Sequence, residues 1–121
     1  PLLEQYALTD FFTEGHFERH IRRMRQRYDQ RRQILVKSLR QEFGDRVTIL
    51  GENAGIHLMV KLATRLSDEA VIQRAASVNV GVISAQGYYL RQPKGAEFIF
   101  GYAQLSEAEI VQGIQQLAQV L

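Results

Sequence analysis

The sequence predicts an α+β fold in which a long N-terminal helix and shorter helices cover one face of a small mixed β-sheet. Three observations lead to this prediction: a helical apolar spacing over residues 16–43, alternation in two short runs after it, and a capped helical pattern at the end of the chain. Apolar residues three or four positions apart are typical of a helix, and alternation is typical of a half-buried strand. With 121 residues and no cysteine, we expect residues 1–121 to form a single domain without disulfides or thiolate-bound metal.

Residues 16–43 are predicted to be one amphipathic helix that ends at Gly44. This stretch holds nine of the fifteen basic residues and three of the thirteen acids, so it carries a charge of +6 against −4 for the remainder. The arginines face away from the apolar stripe, which predicts a strongly basic outer face. The stripe consists of Phe17, Ile21, Met24, Tyr28, Leu35, Leu39 and Phe43, and the outer arginines are Arg19, Arg22, Arg23, Arg25 and Arg27.

The remaining elements are predicted from alternation, turn residues and helix caps. Ser67 is placed to cap one helix, and Ser106 with Glu109 forms a capping box for the last one. Because a helix connects the second strand to the third, these two strands are predicted to pair in parallel through a right-handed crossover. The predicted ranges are helices at 2–13, 67–78 and 106–121, strands at 46–50, 55–62, 80–84 and 97–103, and a loop at 85–95.

No catalytic constellation can be identified from residue types and spacing. His16 and His20 could share one helix face, but no third metal ligand accompanies them, and no glycine-rich phosphate loop or serine nucleophile motif is present. The longest uncharged run, residues 75–90, has 16 residues and is too short to span a bilayer. The arginines of the basic helix could bind nucleic-acid phosphates. Alternatively, they could keep the long helix solvated or dock it on an acidic protein surface. Nucleic-acid binding is the less favoured of these, because no aromatic residues that could stack on bases are interleaved with the arginines.

The loop at residues 85–95 is the more suggestive place for a binding site. Tyr88 and Tyr89 follow Gly87 and a buried strand, where their hydroxyls could serve a pocket. The alternative, which the residues alone favour, is that one tyrosine packs in the core and the other lies on the surface.

Four motifs taken together resemble one known family, the MocR-type regulators of the GntR superfamily. The first motif lies on the long helix, and the others follow in the family's order over essentially the whole chain. The motifs are Gly15-His16-Phe17-Glu18-Arg19-His20-Ile21-Arg22-Arg23-Met24-Arg25 with Tyr28 and Arg31-Arg32, Ala54-Gly55-Ile56-His57-Leu58, Gly81-Val82 with Tyr88-Tyr89, and Gly101-Tyr102-Ala103-Gln104-Leu105-Ser106 with Glu109-Ile110.

The resemblance implies that this chain is the C-terminal, small subdomain of a longer regulator. Such regulators join a winged helix-turn-helix DNA-binding domain to a domain that resembles fold-type I aminotransferases and binds pyridoxal 5′-phosphate and an amino-acid-like effector. They act as homodimers in the bacterial cytoplasm and have no membrane segment. The cofactor lysine, the large domain and the DNA-binding domain would lie upstream of Pro1, so this segment is expected to hold no cofactor and no catalytic residue. The alternative is the small domain of an active aminotransferase.

The resemblance also implies where an effector would be contacted. The candidate residues are Tyr88 and Tyr89, with Ser84 and Arg91 as weaker candidates. In related aminotransferases, an arginine near the start of the last strand binds the substrate carboxylate, and the alignment places Ile99 there. Either the register is shifted by a few residues or the arginine is absent, in which case Arg91 is the nearest alternative.

Overall fold

The computed structural model describes residues 15–53, 57–85 and 96–121, without the side chains of residues 52 and 53. The helix predicted for residues 2–13 lies outside the described residues. The described elements are helix α1 (His16–Phe43), a 3-10 turn (Gly44–Arg46), strands β1 (Val47–Asn53) and β2 (His57–Leu62), helix α2 (Asp68–Ser77), strands β3 (Val82–Ser84) and β4 (Ala96–Gly101), and helix α3 (Glu107–Val120).

Helix α1 has the predicted bounds, and a glycine in a left-handed or related conformation stands at each end. Gly15 has φ 73° and Gly44 has φ 55°, values that residues with a Cβ adopt at a cost. The stripe is not buried evenly, because the fully buried residues of α1 begin at Leu35 and end at Phe43. Phe17, near the N-terminal end, remains 37% exposed. Contacts of α1 with the hydrophobic core begin at Tyr28, and its fully buried residues lie in the C-terminal third of the helix.

The sheet has the strand order β1-β2-β4-β3, and each of its three pairings is antiparallel. The prediction of a mixed sheet with β2 and β3 paired in parallel was wrong. β2 and β3 do run in the same direction, because both are antiparallel to β4, but β4 lies between them. The connection through α2 therefore leaves one strand position between β2 and β3, and β4, which comes later in the chain, occupies it. Local periodicity does not report which strand occupies such a position.

The core lies between one face of the sheet and the helices, as predicted. Alternate residues of β2, from Leu58 to Leu62, and of β4, Phe98 and Phe100, project to this face. They pack with Leu39 of α1 and with buried residues of α2 and α3, all in one cluster. This burial pattern confirms the α+β class with helices on one face of the sheet.

The caps of the two shorter helices are formed by the serines that the sequence predicts. The Ser67 hydroxyl accepts a hydrogen bond from the Ala70 N–H at 3.2 Å. At α3, the Ser106 hydroxyl accepts from the Glu109 N–H, and the Glu109 carboxylate accepts from the Ser106 N–H, both at 3.1 Å. This capping box orients α3 at the point where the chain leaves β4. Asn79, which the sequence predicts to end this helix, has a left-handed φ of 62° two residues after the last residue of α2.

Loss of the capping box should destabilise the chain and change its response to acid. Replacing Ser106 with alanine should lower the free energy of unfolding by about 1 kcal/mol. The hydrogen bond from the Ser106 N–H lowers the pKa of Glu109. The stabilisation linked to that carboxylate is therefore present above its ordinary pKa and is lost as the pH falls through the lowered value. Urea unfolding at pH 7 measures the loss of stability in Ser106→Ala. Comparison of pH 7 with pH 3 measures the acid response, which Glu109→Gln should remove and Glu107→Gln, which leaves the box intact, should keep. Equal unfolding of Ser106→Ala and wild type at pH 7 would contradict the prediction.

Candidate functional site

The sheet has a second face on the side away from the helices, which we call the open face because no described helix packs on it. Because side chains alternate along a strand, the residues between the core positions of β2 and β4 project to this face. β3 extends the middle of it, since Ile83 pairs with Ile99. Three rows of paired residues cross the open face: His57 with Gly101, Met59 with Ile99, and Lys61 with Glu97.

The middle row is an apolar ladder formed by Met59, Ile99 and Ile83. Ile99 is only 3% exposed although it does not belong to the core cluster beneath the helices. It occupies the position where the family resemblance expects a carboxylate-binding arginine. The other residues of β4 that project to this face are Glu97 and Gly101, so a register shift along β4 does not supply an arginine. The arginine is absent from this strand.

Glu97 lies where β4 begins, at one end of the open face, next to its cross-strand partner Lys61. Both residues are half-buried. The Oε2 atom of Glu97 is buried and has no hydrogen-bond partner among the described residues. A buried carboxylate oxygen without a donor has lost its hydration without compensation, which is rare in folded proteins. Sequence reasoning missed Glu97 because it looks like any polar residue of an alternating strand.

The loop with the predicted effector residues is attached to this same end of the sheet. It follows β3, whose last residue, Ser84, pairs with Phe98, and it returns to β4 at Ala96, which pairs with Leu62. Both attachment points are neighbours of the Lys61–Glu97 row. Three of the four predicted residues lie in the loop, outside the described residues: Tyr88, Tyr89 and Arg91.

Ser84, the fourth predicted residue, is half-buried and contacts α2. Its hydroxyl donates a hydrogen bond to Oδ2 of Asp68, the first residue of α2, at 2.6 Å. The bond joins β3 to the start of α2 on the side of the sheet away from the open face. A contact between Ser84 and an effector stays a prediction.

A cleft of about 320 Å³ lies at the opposite end of the sheet, beside His57 and Gly101. The Gly101 N–H donates to the Gly81 carbonyl at 3.2 Å, and a guanidinium N–H of Arg31 donates to the Ala103 carbonyl. Each of the four motifs that carry the family resemblance supplies a residue to this cleft or to these two hydrogen bonds. The residues are Arg31, His57, Gly81 and Gly101. The motifs are distant in sequence but together form one end of the sheet and its junction with α1.

Two groups of arginines lie on the surface. Those on the outer face of α1 are exposed, as predicted, whereas Arg31 and Arg32 are half-buried. A second group, Arg46, Arg65 and Arg74, lines a cleft of about 650 Å³. Arg74 donates to the Val120 carbonyl at 2.8 Å, and Arg46 lies 5.4 Å from the ring centre of Phe43. Both surfaces suit either phosphate groups or an acidic protein surface, so both alternatives from the sequence stay open.

The described residues do not fit a pyridoxal 5′-phosphate site. A lysine that forms a Schiff base must be desolvated or placed beside another cation. Lys37 is exposed on α1, Lys61 stands opposite Glu97 in the strand register, and Lys94 lies outside the described residues. The N-termini of α2 and α3 carry acidic residues in their first turns, which disfavours a phosphate there. No reaction step is assigned to these residues.

His16 and His20 are the histidines that the sequence places on one helix face as possible metal ligands. His16 and His20 are both exposed on α1. Within residues 15–53, 57–85 and 96–121, no group of three His, Asp or Glu side chains could hold a metal ion. No helix in those ranges is both long enough and apolar enough to cross a bilayer.

Comparison with known sequences finds transcriptional regulators. The uncharacterized HTH-type transcriptional regulator YhdI of Bacillus subtilis (strain 168) is 38% identical over 113 residues, which are 93% of this chain and 24% of the regulator. The probable rhizopine catabolism regulatory protein MocR of Rhizobium meliloti is 38% identical over 119 residues, 96% of this chain and 24% of that protein. This chain is therefore similar to one segment of the MocR-type regulators. It spans about a quarter of the length of the relatives that it matches.

Comparison with solved structures identifies the fold of this chain. LysN, an α-aminoadipate aminotransferase from Thermus thermophilus, matches with a TM-score of 0.79 at 24% identity, over 100% of this chain and 31% of the enzyme. The chain therefore has the fold of the aminotransferase small domain. No protein-family model matches the chain.

The Ser84–Asp68 bond should contribute to stability. Replacing Ser84 with alanine is expected to lower the free energy of unfolding by about 1 kcal/mol, because both groups are only half-buried. In an Asp68→Ala background the same substitution should cost much less, and urea unfolding of the four proteins measures the coupling. Ser77→Ala, which removes a hydroxyl bonded within its own helix, is the control and should cost the same in both backgrounds. Equal costs for Ser84→Ala in both backgrounds would show that the bond contributes nothing.

Proposed function

We propose that this chain is part of the effector-sensing domain of a bacterial transcriptional regulator. In the full-length protein, the aminotransferase-like domain binds pyridoxal 5′-phosphate and an amino-acid-like effector, and this segment closes over that effector. The closure is relayed to a winged helix-turn-helix domain that binds DNA. The protein acts as a homodimer in the cytoplasm, and its cofactor is held by the large domain that precedes this segment.

The observation that carries this proposal is 38% identity to two regulators over nearly the whole chain, in a segment with an aminotransferase fold. The β4 strand supports sensing over turnover of amino acids. A guanidinium that binds a carboxylate through two hydrogen bonds is the usual anchor for such substrates. β4 carries Ile99 on the open face instead, so this segment lacks that anchor on its last strand.

The open face is the surface that we assign to the effector side. Helices cover the other face of the sheet, and the loop with Tyr88 and Tyr89 is attached at the edge of the open face, at the Lys61–Glu97 row. Closure of this segment over a ligand would bring the loop and the open face toward it together.

A second candidate function is that of an active aminotransferase. It is favoured by 25% identity over 121 residues to the 2-aminoadipate transaminase of Thermus thermophilus, a match that covers 100% of this chain and 30% of the enzyme. The full-length protein can be assayed with 2-aminoadipate as the amino donor and a keto acid as the acceptor. Turnover near the median enzyme rate of about 10 per second would support the enzyme and count against the regulator.

The regulator is tested by DNA binding of the full-length protein with and without a panel of amino acids and amines. We expect Tyr89→Ala to shift the midpoint of the effector response by about tenfold, because the proposed contacts of its ring and hydroxyl with the effector would be lost. Cofactor absorbance should be unchanged, since the cofactor is held elsewhere. Tyr28→Phe, which removes a hydroxyl from α1, is the matched control. An unaltered response in both Tyr88→Ala and Tyr89→Ala would overturn the assignment of these tyrosines to the effector side.

A further inference from the structure

The cleft lined by Arg46, Arg65 and Arg74, which we call the arginine cleft, brings three cations to one concave surface with a volume of about 650 Å³. We propose that it binds a small molecule that carries a phosphate group. Ligand clefts in proteins have volumes of roughly 300–1,000 Å³, so this one can accommodate a small phosphate ester. The inference goes beyond the proposed function, because it concerns a second ligand on a surface to which that function assigns no role.

The first argument comes from the charge of the arginine cleft. All three arginine side chains are exposed, and the other lining side chains, those of Ala63, Thr64, Leu66 and Leu121, are uncharged. Within the described residues, no ion pair joins the three guanidinium groups to a carboxylate. Arginine keeps its charge at any physiological pH, so the three cations repel one another. A phosphate ester, with a charge of about −1.5 to −2 at pH 7, compensates this repulsion better than a carboxylate does.

The second argument is that two of the three guanidinium groups are already held in place. Arg74 donates one N–H to the Val120 carbonyl at 2.8 Å. Arg46 lies 5.4 Å from the ring centre of Phe43, and its Nε–H donates to the Ala63 carbonyl at 3.5 Å. A guanidinium group has five N–H donors, so both arginines keep most of their donors for a ligand. Because these side chains are anchored before binding, less conformational entropy is lost when a ligand binds.

The third argument is the shape of the surface, which favours a small ligand over a macromolecule. Arg46 lies in the 3-10 turn after α1, Arg65 in the connection from β2 to α2, and Arg74 in the last turn of α2. Side chains from three elements thus surround one concave site, the usual shape for small-molecule binding. The outer arginines of α1 instead lie along one exposed helix, which suits an extended phosphate backbone. Leu66 and Leu121 add apolar surface for the carbon part of a small ligand.

The test measures binding of phenyl phosphate to the full-length protein by isothermal titration calorimetry. The protein is first loaded with pyridoxal 5′-phosphate, so that a cofactor site cannot take up the probe. Benzoate has the same ring and a carboxylate, and we expect phenyl phosphate to bind at least about tenfold more tightly than benzoate. Its affinity should fall between pH 7.5 and pH 5, because the phosphate gains a proton near pH 6 while the arginines keep their charge. Equal affinity for the two probes, or no binding of phenyl phosphate, would overturn the inference.

Two variants and one matched control locate the site. Arg65→Gln removes an exposed guanidinium group of the cleft, and it should weaken phenyl phosphate binding by about tenfold while the melting temperature stays unchanged. Arg65→Lys keeps the charge but loses the planar pair of donors, so it should restore only part of the affinity. Arg27→Gln removes the same charge from the exposed face of α1 and should leave the affinity unchanged. Equal weakening by Arg65→Gln and Arg27→Gln would reveal an effect of net charge alone, and the inference would be wrong.

A DNA duplex of arbitrary sequence and a polyglutamate peptide, titrated into the same variants, test the two macromolecular alternatives. We expect neither to lose more affinity in Arg65→Gln than in Arg27→Gln, because the arginine cleft is concave and the α1 face is not. DNA or peptide binding that depends on Arg65, in a protein that does not bind phenyl phosphate, would identify the cleft as a contact for a macromolecule and overturn the small-molecule site.

Discussion

Strand β4 imposes the constraint on which the rest of this structure depends. It is the only described strand with three consecutive buried residues, Phe98, Ile99 and Phe100, and it pairs with β2 on one side and β3 on the other. Burial of a phenylalanine side chain stabilises a fold by roughly 1.5–3 kcal/mol, more than one helix cap or one surface hydrogen bond contributes. The two phenylalanines lie under the helices, so the position of β4 determines which face of the sheet the helices cover.

That arrangement also makes the two faces of the sheet chemically different. One face is continuous with the helix core, whereas the other combines an apolar ladder with a glutamate whose buried oxygen lacks a donor in the described part of the chain. Such a local departure from good hydrogen bonding is typical of functional surfaces, where binding and not stability has shaped the residues. The fold of an aminotransferase small domain is thus combined here with two faces of different composition.

Helix α1 shows a similar division along its length. Its apolar stripe is continuous in sequence, but the fully buried residues are confined to the last third, from Leu35 onward, while the arginines of the N-terminal half are exposed. Arg31, at the transition, donates to the Ala103 carbonyl and so links α1 to the end of β4. The helix therefore joins a packed domain to a basic, partly exposed segment, in a chain that spans about a quarter of its regulator relatives.

Helix α1, both serine caps and the alternation of the strands could be predicted from the sequence because each depends on residues within a few positions of one another. The resemblance to MocR-type regulators was also present in the sequence, in four separated motifs. Strand order could not be predicted in this way, because β4 is inserted between strands that precede it by many residues. For the same reason the sequence did not reveal that Glu97, Ile99 and Ile83 share one face. Their proximity arises from pairing across strands, and long-range pairing depends on the burial of the whole sheet and not on any local pattern.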